Sequence, residues 1–149
     1  MDVNSAVEVL RTLLTEDIST FRRLHSGLDA SQRQALAVVL TIAFNEAAVG
    51  RFGEQHTPAD IIEFVAEARG GYPAIGEAVS AEDAETVIRA ALGEDDLIDT
   101  LNGYTLGAAQ TAMLFAITSE TTAAHDTIEP LLASAAGQAE EYLQRRAGR

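Results

Sequence analysis

Glu46, Arg51 and His56 have the chemistry of a small binding pocket, because they place a carboxylate, a guanidinium and an imidazole close together in the sequence. An imidazole is the side-chain group whose charge can change near neutral pH. The three residues lie at the end of a predicted helix and in the turn after it, so we treat them as a candidate small-molecule pocket. An exposed turn between two helices accounts for the same residues, because a sequence does not show whether side chains converge.

A second cluster, His125, Asp126 and Glu129, could hold a metal ion or carry acid–base chemistry if His125 and Glu129 shared one helical face. A complete metal site requires three or four ligands and supporting hydrogen bonds, which this spacing does not supply. Asp126 has a simpler role as the N-terminal cap of the last helix, and Glu129 would suit the positive end of that helix. The sequence therefore predicts no metal, no cofactor and no catalytic residue.

The motifs of several common enzyme classes are absent from the chain. It contains no Gly-x-Ser-x-Gly nucleophile elbow and no His-Glu-x-x-His zinc motif. It has no lysine, and so no phosphate-binding loop of the Gly-x-x-x-x-Gly-Lys type. It has no cysteine, which excludes disulfides, thiolate metal sites and a cysteine nucleophile. These exclusions favour a protein that is not an enzyme.

Negative charge is concentrated in the middle of the chain. The protein carries 10 basic and 23 acidic side chains, a net charge of −13, and residues 54–99 alone hold twelve acids and two arginines. A dense surface of one sign attracts partners of the opposite charge, although it also serves solubility alone. Four glutamates lie off the apolar stripes of their predicted helices and form the candidate partner surface: Glu63, Glu67, Glu82 and Glu85. We expect them to face a basic partner protein.

Nucleic acid is an unfavourable partner for so acidic a chain, because binding a phosphate backbone requires clustered cations. All ten cations are arginines, and the nearest approaches to a basic patch are Arg22 with Arg23 and a short basic C-terminal tail from about residue 145.

The alanine-rich, lysine-free composition is typical of a GC-rich bacterial genome. The start of the chain has no secretory leader pattern and the apolar runs are short, so we expect a cytoplasmic protein without membrane contact.

The hydrophobic spacing predicts an all-α fold in one domain. Apolar residues recur at helical intervals, and no stretch alternates apolar and polar residues as a half-buried strand does. We expect a compact bundle of seven or eight helices, covering residues 1–149, around a central apolar helix at about residues 30–52. Because that helix has no polar stripe, its middle residues are expected to be buried: Val39, Leu40, Ala43 and Phe44.

Capping patterns locate several helix starts. Asp29, with Gln32 three residues later, has the spacing of a capping box before the central helix. Thr57 followed by Pro58, and Ser80 further along, predict the starts of two more helices. Residues 15–17 either continue the first helix or begin a second one.

The last helix carries a narrow apolar stripe formed by Leu132, Ala135, Ala139 and Tyr142. Small residues in the middle of the stripe allow another helix to approach closely. That helix is either a neighbour in the same chain or the same helix of a second copy, in which case the protein is a homodimer.

Two classes of function remain. The sequence favours a non-catalytic acidic helical protein, an adaptor or regulatory subunit whose acidic surface in residues 54–99 binds a partner protein. The alternative is a small-molecule-binding helical protein, or a small helical enzyme, with its pocket near Glu46, Arg51 and His56. Fold alone does not separate these classes, because one fold hosts many functions.

Overall fold

The protein is all-α in the computed structural model, which describes residues 3–15, 18–53 and 56–148. The residues outside this part are 1, 2, 16, 17, 54, 55 and 149, and the side chains of Ile18, Ser19, Phe21 and Arg22 lie outside it as well. The described ranges contain nine α-helices, one 3₁₀ helix and no strand. The α-helices are α1 (Val3–Leu14), α2 (Ile18–Ser26), α3 (Ala30–Phe52), α4 (Pro58–Gly71), α5 (Pro73–Ala78), α6 (Ala81–Ala91), α7 (Gly103–Thr118), α8 (Thr122–Asp126) and α9 (Ile128–Ala147), and the 3₁₀ helix is Asp95–Thr100. The N-terminal segment therefore forms two helices, α1 and α2.

The predicted caps form at three helix starts. Before α3, Asp29 Oδ1 accepts a hydrogen bond from the Gln32 N–H at 2.8 Å, and Gln32 Oε1 accepts one from the Asp29 N–H at 2.9 Å. Before α4, Thr57 and Asp60 form the same reciprocal pair. The Ser80 side chain caps α6 in the predicted way. Each cap satisfies backbone N–H groups that the first turn of a helix leaves unpaired.

The chain divides into two compact units, one formed by Met1–Ala43 with Thr118–Arg149 and the other by Phe44–Ile117. In the first unit, α1 packs against α2 and α9, and α8 contacts α9. In the second unit, α4 packs against α5 and α6, and α6 packs against the 3₁₀ helix. The assignment of residues 1–149 to a single domain stays a prediction.

The apolar helix predicted at about residues 30–52 is α3, and each unit contains part of it. The prediction of its core residues is confirmed, since none of the four is more than 7% exposed: Val39, Leu40, Ala43 and Phe44. Another side of α3 faces solvent, where Asn45 is exposed and Val49 is 52% exposed. The helix is therefore buried on part of its circumference and not all round.

Among the described residues, α3 is one helix long and apolar enough to cross a membrane, judged by length and composition alone. The core helix of a soluble protein satisfies the same criterion, so a single such helix is weak evidence for a membrane span. Within its most apolar stretch of 18 residues, 39% are buried in the fold.

The predicted stripe of the last helix is covered within the chain. Leu132, Ala135 and Ala139 are each 0% exposed, and α1 is a helix that packs against α9. Tyr142 is 42% exposed. Three of the four side chains are thus unavailable to a second copy, so the structure favours the neighbour within the chain over a homodimer through this stripe.

The last helix also includes residues predicted as a basic tail. It runs to Ala147, so Arg145 and Arg146 lie in its last turn. Positive side chains in that position complement the negative end of the helix dipole.

Candidate functional site

The second unit contains a shallow, open cavity between the end of α3 and α4. Its volume is about 170 Å³, and six residues line it: Arg51, Phe52, Asp60, Glu63, Phe64 and Glu67. The first two belong to the last turn of α3 and the other four to α4. The cavity therefore combines one cation, two aromatic rings and three carboxylates.

The two phenylalanine rings are buried and hold a guanidinium group. Phe52 is 8% exposed and Phe64 is 4% exposed, and their ring centroids lie 5.4 Å apart with the planes at 89°. The Cζ atom of Arg51 lies 5.1 Å from the centroid of Phe52 and 5.3 Å from that of Phe64. Both distances fall within the range of about 6 Å in which a ring attracts a cation, so both rings stabilise the position of Arg51.

The local sequence explains why Arg51 meets a ring on the next helix. The residues of α4 at helical spacing are buried, and Phe64 is one of them: Ile61, Phe64, Val65 and Ala68. The helix α3, which carries Arg51, ends at Phe52, and Gly53 follows with a φ of 67°. Glycine adopts this left-handed conformation without steric cost, which lets the chain turn from α3 towards α4.

Two of the three carboxylates at the cavity make no ion pair with any side chain in the described part of the chain. Asp60 Oδ2 accepts a hydrogen bond from the Thr57 N–H at 2.9 Å, so this carboxylate belongs to the helix cap. Glu63 and Glu67 are exposed, and neither makes an ion pair with a residue that the structure describes. They lie four positions apart on one helix, where like charges repel by a few tenths of a kcal/mol.

The other two glutamates of the predicted partner surface lie on α6. Glu82 is exposed, whereas Glu85 is half-buried. At the end of the same helix, Arg89 donates two hydrogen bonds of 2.8 Å to the carboxylate of Glu94. These bonds lower the pKa of Glu94 below its usual value, and the charges of Arg89 and His56 act in the same direction.

Both arginines of residues 54–99, Arg69 and Arg89, bind partners within the same chain. Arg69 Nε donates to the Val79 carbonyl at 3.0 Å, and its Nη2 donates to the Gly76 carbonyl at 3.2 Å. Carbonyls at the end of α5 carry partial negative charge, which suits a guanidinium. Arg89 is paired with Glu94, as described above. Their hydrogen bonds thus go to partners other than the exposed glutamates of α4.

The structure brings the predicted pocket residues together only in part. Arg51 lines the cavity, whereas Glu46 and His56 are not among its lining residues. Glu46 is half-buried more than one turn earlier on α3. His56 is half-buried, and its Nδ1 lies 3.3 Å from the Gly53 carbonyl oxygen. A pocket that joins all three side chains stays a prediction.

Sequence reasoning missed Phe64 and Asp60 as neighbours of Arg51. A usable signal was present in α4, where acidic residues at positions 60, 63 and 67 have the spacing of one helical face. That face borders the apolar stripe that contains Phe64, so carboxylates and a ring were bound to lie side by side. The position of Arg51 over that ring depends on the turn after α3, which periodicity does not reveal.

The cluster at the start of the last helix is distributed over two helices. His125 and Asp126 end α8, and Glu129 lies in the first turn of α9, so the condition for one shared helical face is not met. The predicted cap is wrong, because Thr127 and not Asp126 holds the N-cap position of α9. Glu129 accepts two hydrogen bonds from Arg11, at 2.8 and 2.9 Å, which hold its pKa below the usual value. This carboxylate therefore joins α9 to α1.

Within the described ranges, no group of three or more histidine, aspartate or glutamate side chains is placed to hold a metal ion. Comparisons of the chain with protein-family models, with curated proteins and with solved structures find no match.

Proposed function

We propose that the chain is a non-catalytic interaction protein, an adaptor or regulatory subunit that binds a basic partner protein through the acidic face of α4 and α6. We define the acidic face as the exposed Glu63, Glu67 and Glu82 together with the half-buried Glu85. The observation that carries the proposal is on α4. Two exposed glutamates without a described counterion lie beside a cavity lined by two aromatic rings.

The stability of the fold does not account for the acidic face. The apolar stripe of α4 is buried, so the helix is already anchored by side chains other than Glu63 and Glu67. Their mutual repulsion at a separation of four residues costs the helix a few tenths of a kcal/mol. Solubility and the binding of a cationic surface are the remaining explanations, and the second also accounts for the aromatic-lined cavity next to them.

The dimensions of the cavity argue against the small-molecule alternative. Pockets that enclose a small ligand have volumes of roughly 300–1,000 Å³ and bury most of the ligand surface. The cavity on α4 measures about 170 Å³ and is open to solvent. It is suited to one side chain of a protein partner, with the acidic face providing the wider contact.

A charge-reversal experiment with a matched control tests the proposal. The probe is an octapeptide of alternating lysine and arginine, titrated into the full chain at low salt and at about 0.15 M salt. The test variant is Glu63→Lys with Glu67→Lys, and the control is Glu140→Lys with Glu141→Lys on the exposed side of α9. Each pair of reversals adds four charges, so both variants change the net charge from −13 to −9.

The test variant is expected to bind the peptide about tenfold more weakly, because two surface attractions of roughly 0.3–0.5 kcal/mol each become repulsions. The control should change affinity by about twofold or less, since charges beyond a Debye length of about 8 Å are screened. Both variants should keep the melting temperature of the wild type. Equal weakening in the two variants would show that the peptide responds to net charge alone, and the proposal would then be abandoned.

A further inference from the structure

We propose that an arginine side chain of the partner enters through the cavity on α4 and takes the position over the Phe52 and Phe64 rings, here called the arginine seat, that Arg51 holds when the partner is absent. The inference rests on the proposed function and specifies the partner's chemistry. The partner presents arginine, rather than any cation, to the acidic face.

The geometry of Arg51 shows that the seat accommodates a guanidinium. Its Cζ atom is 5.1 and 5.3 Å from two ring centroids whose planes are nearly perpendicular. One planar cation therefore lies near two aromatic rings at once. The carboxylates of Glu63 and Glu67 line the cavity beside this position, so a guanidinium that replaces Arg51 over the rings lies next to the acids.

The same surface discriminates arginine from lysine. A guanidinium is planar and weakly hydrated, so it stacks on aromatic rings, and its rigid set of five donors matches a carboxylate in bidentate fashion. An ammonium is compact and strongly hydrated, so it gains less from the rings. A seat that combines phenylalanine rings with carboxylates thus favours arginine, whereas carboxylates alone attract both cations equally.

Arg51 and the partner's arginine compete for one place. Arg51 is exposed and lies in the last turn of α3, so its side chain can leave the rings without a change in the backbone. Because Arg51 occupies the seat in most molecules, the apparent affinity of the partner equals its intrinsic affinity multiplied by the fraction of molecules in which the seat is open. Removing the Arg51 side chain should therefore strengthen the binding of an arginine-bearing partner.

The experiment compares two peptides of equal charge, hexa-arginine and hexa-lysine, against the full chain and three variants. The variants are Arg51→Ala, Arg51→Lys and the control Arg33→Ala, which removes an exposed arginine from the same helix. Arg51→Ala and Arg33→Ala change the net charge equally, from −13 to −14, whereas Arg51→Lys leaves it unchanged.

Arg51→Ala is expected to bind hexa-arginine about fivefold more tightly than the wild type, because the side chain that competes for the rings is removed. Arg51→Lys should show a smaller gain in the same direction, although its charge is unaltered. Arg33→Ala should change the affinity for hexa-arginine by less than about twofold. Hexa-lysine should gain less from Arg51→Ala than hexa-arginine does, because it gains only from the loss of one positive charge near Glu63 and Glu67.

Two results overturn the inference while leaving the proposed function standing. One is an equal gain from Arg51→Ala and Arg33→Ala, which reduces the effect to net charge. The other is an equal gain for the two peptides with Arg51→Ala, which removes the preference for arginine. Failure of the proposed function has a different signature: reversal of Glu63 and Glu67 then weakens both peptides no more than the control reversals on α9 do.

Discussion

Replacing Phe44 by alanine tests whether α3 is a core helix of a folded protein with one side exposed to solvent. Phe44 is 0% exposed, and truncation of a fully buried phenylalanine costs about 3–5 kcal/mol through lost transfer energy and the cavity left behind. The matched control is Val49→Ala on the same helix, where the side chain is 52% exposed. Removing two carbons at about 0.8 kcal/mol each, discounted by half for exposure, gives a cost of about 0.8 kcal/mol.

The assay is urea unfolding of the purified chain, followed by far-ultraviolet circular dichroism. With a denaturant slope of about 2 kcal/mol per molar urea, Phe44→Ala should lower the midpoint by about 1.5–2.5 M and Val49→Ala by about 0.4 M. If the units unfold separately, the shift should appear in the transition of Phe44–Ile117, which contains Phe44. An unchanged midpoint for Phe44→Ala, or equal shifts for the two variants, would falsify the burial pattern of α3.

Two further predictions concern the ion pair between helices and the turn after α6. Because hydrogen bonds from Arg11 lower the pKa of Glu129, their contribution to stability is present above the unfolded-state pKa and is lost as pH falls through the folded-state pKa. Glu129→Gln should therefore lower the urea midpoint at pH 7. In strong acid the native carboxyl is protonated and resembles the amide, so the midpoint of the variant should lie near the wild-type value. An equal loss at both pH values would contradict the charge-based explanation. Gly93 has a φ of 126°, so Gly93→Ala should destabilise the fold by about 1–3 kcal/mol. Gly137 lies in the middle of α9 with open space around it, so Gly137→Ala should stabilise the fold by about 0.5–1 kcal/mol. Thermal melts of the two alanine variants distinguish these outcomes, and shifts of the same sign would contradict the reasoning.

Helix starts were predictable because capping is local chemistry. Asp29 with Gln32, and Thr57 with Asp60, exchange hydrogen bonds across three residues, so the sequence alone contains both partners. The buried faces were predictable for a similar reason, since the apolar residues of α4 recur at helical spacing. Ser80 caps α6 through a single hydrogen bond that its side chain accepts from the Asp83 N–H, without a reciprocal partner. The cap expected at Asp126 is wrong, because Thr127 holds the N-cap position of α9.

The partners of charged side chains were not predictable, because they are set by tertiary packing. Glu129 meets Arg11 across 118 positions of sequence, through the packing of α1 on α9. Arg69 binds backbone carbonyls at the end of α5, and no side-chain pattern indicates a carbonyl acceptor. Periodicity assigns a charge to a face of its helix but does not say what lies opposite.

The acidic face and the arginine seat have different origins in the sequence, which makes them separable. The exposure of Glu63 and Glu67 follows from local periodicity, since burial of the α4 stripe leaves both outside the core. The seat depends in addition on the turn after α3, where the positive φ of Gly53 accompanies the placement of Arg51 over the ring of Phe64. A change in that turn would alter the position of Arg51 relative to the ring of Phe64, whereas the two glutamates would stay outside the buried stripe of α4. Attraction of a basic partner and selectivity for its arginine can therefore be lost independently, because the first depends on the glutamates of α4 and α6 and the second on the position of Arg51 over the rings.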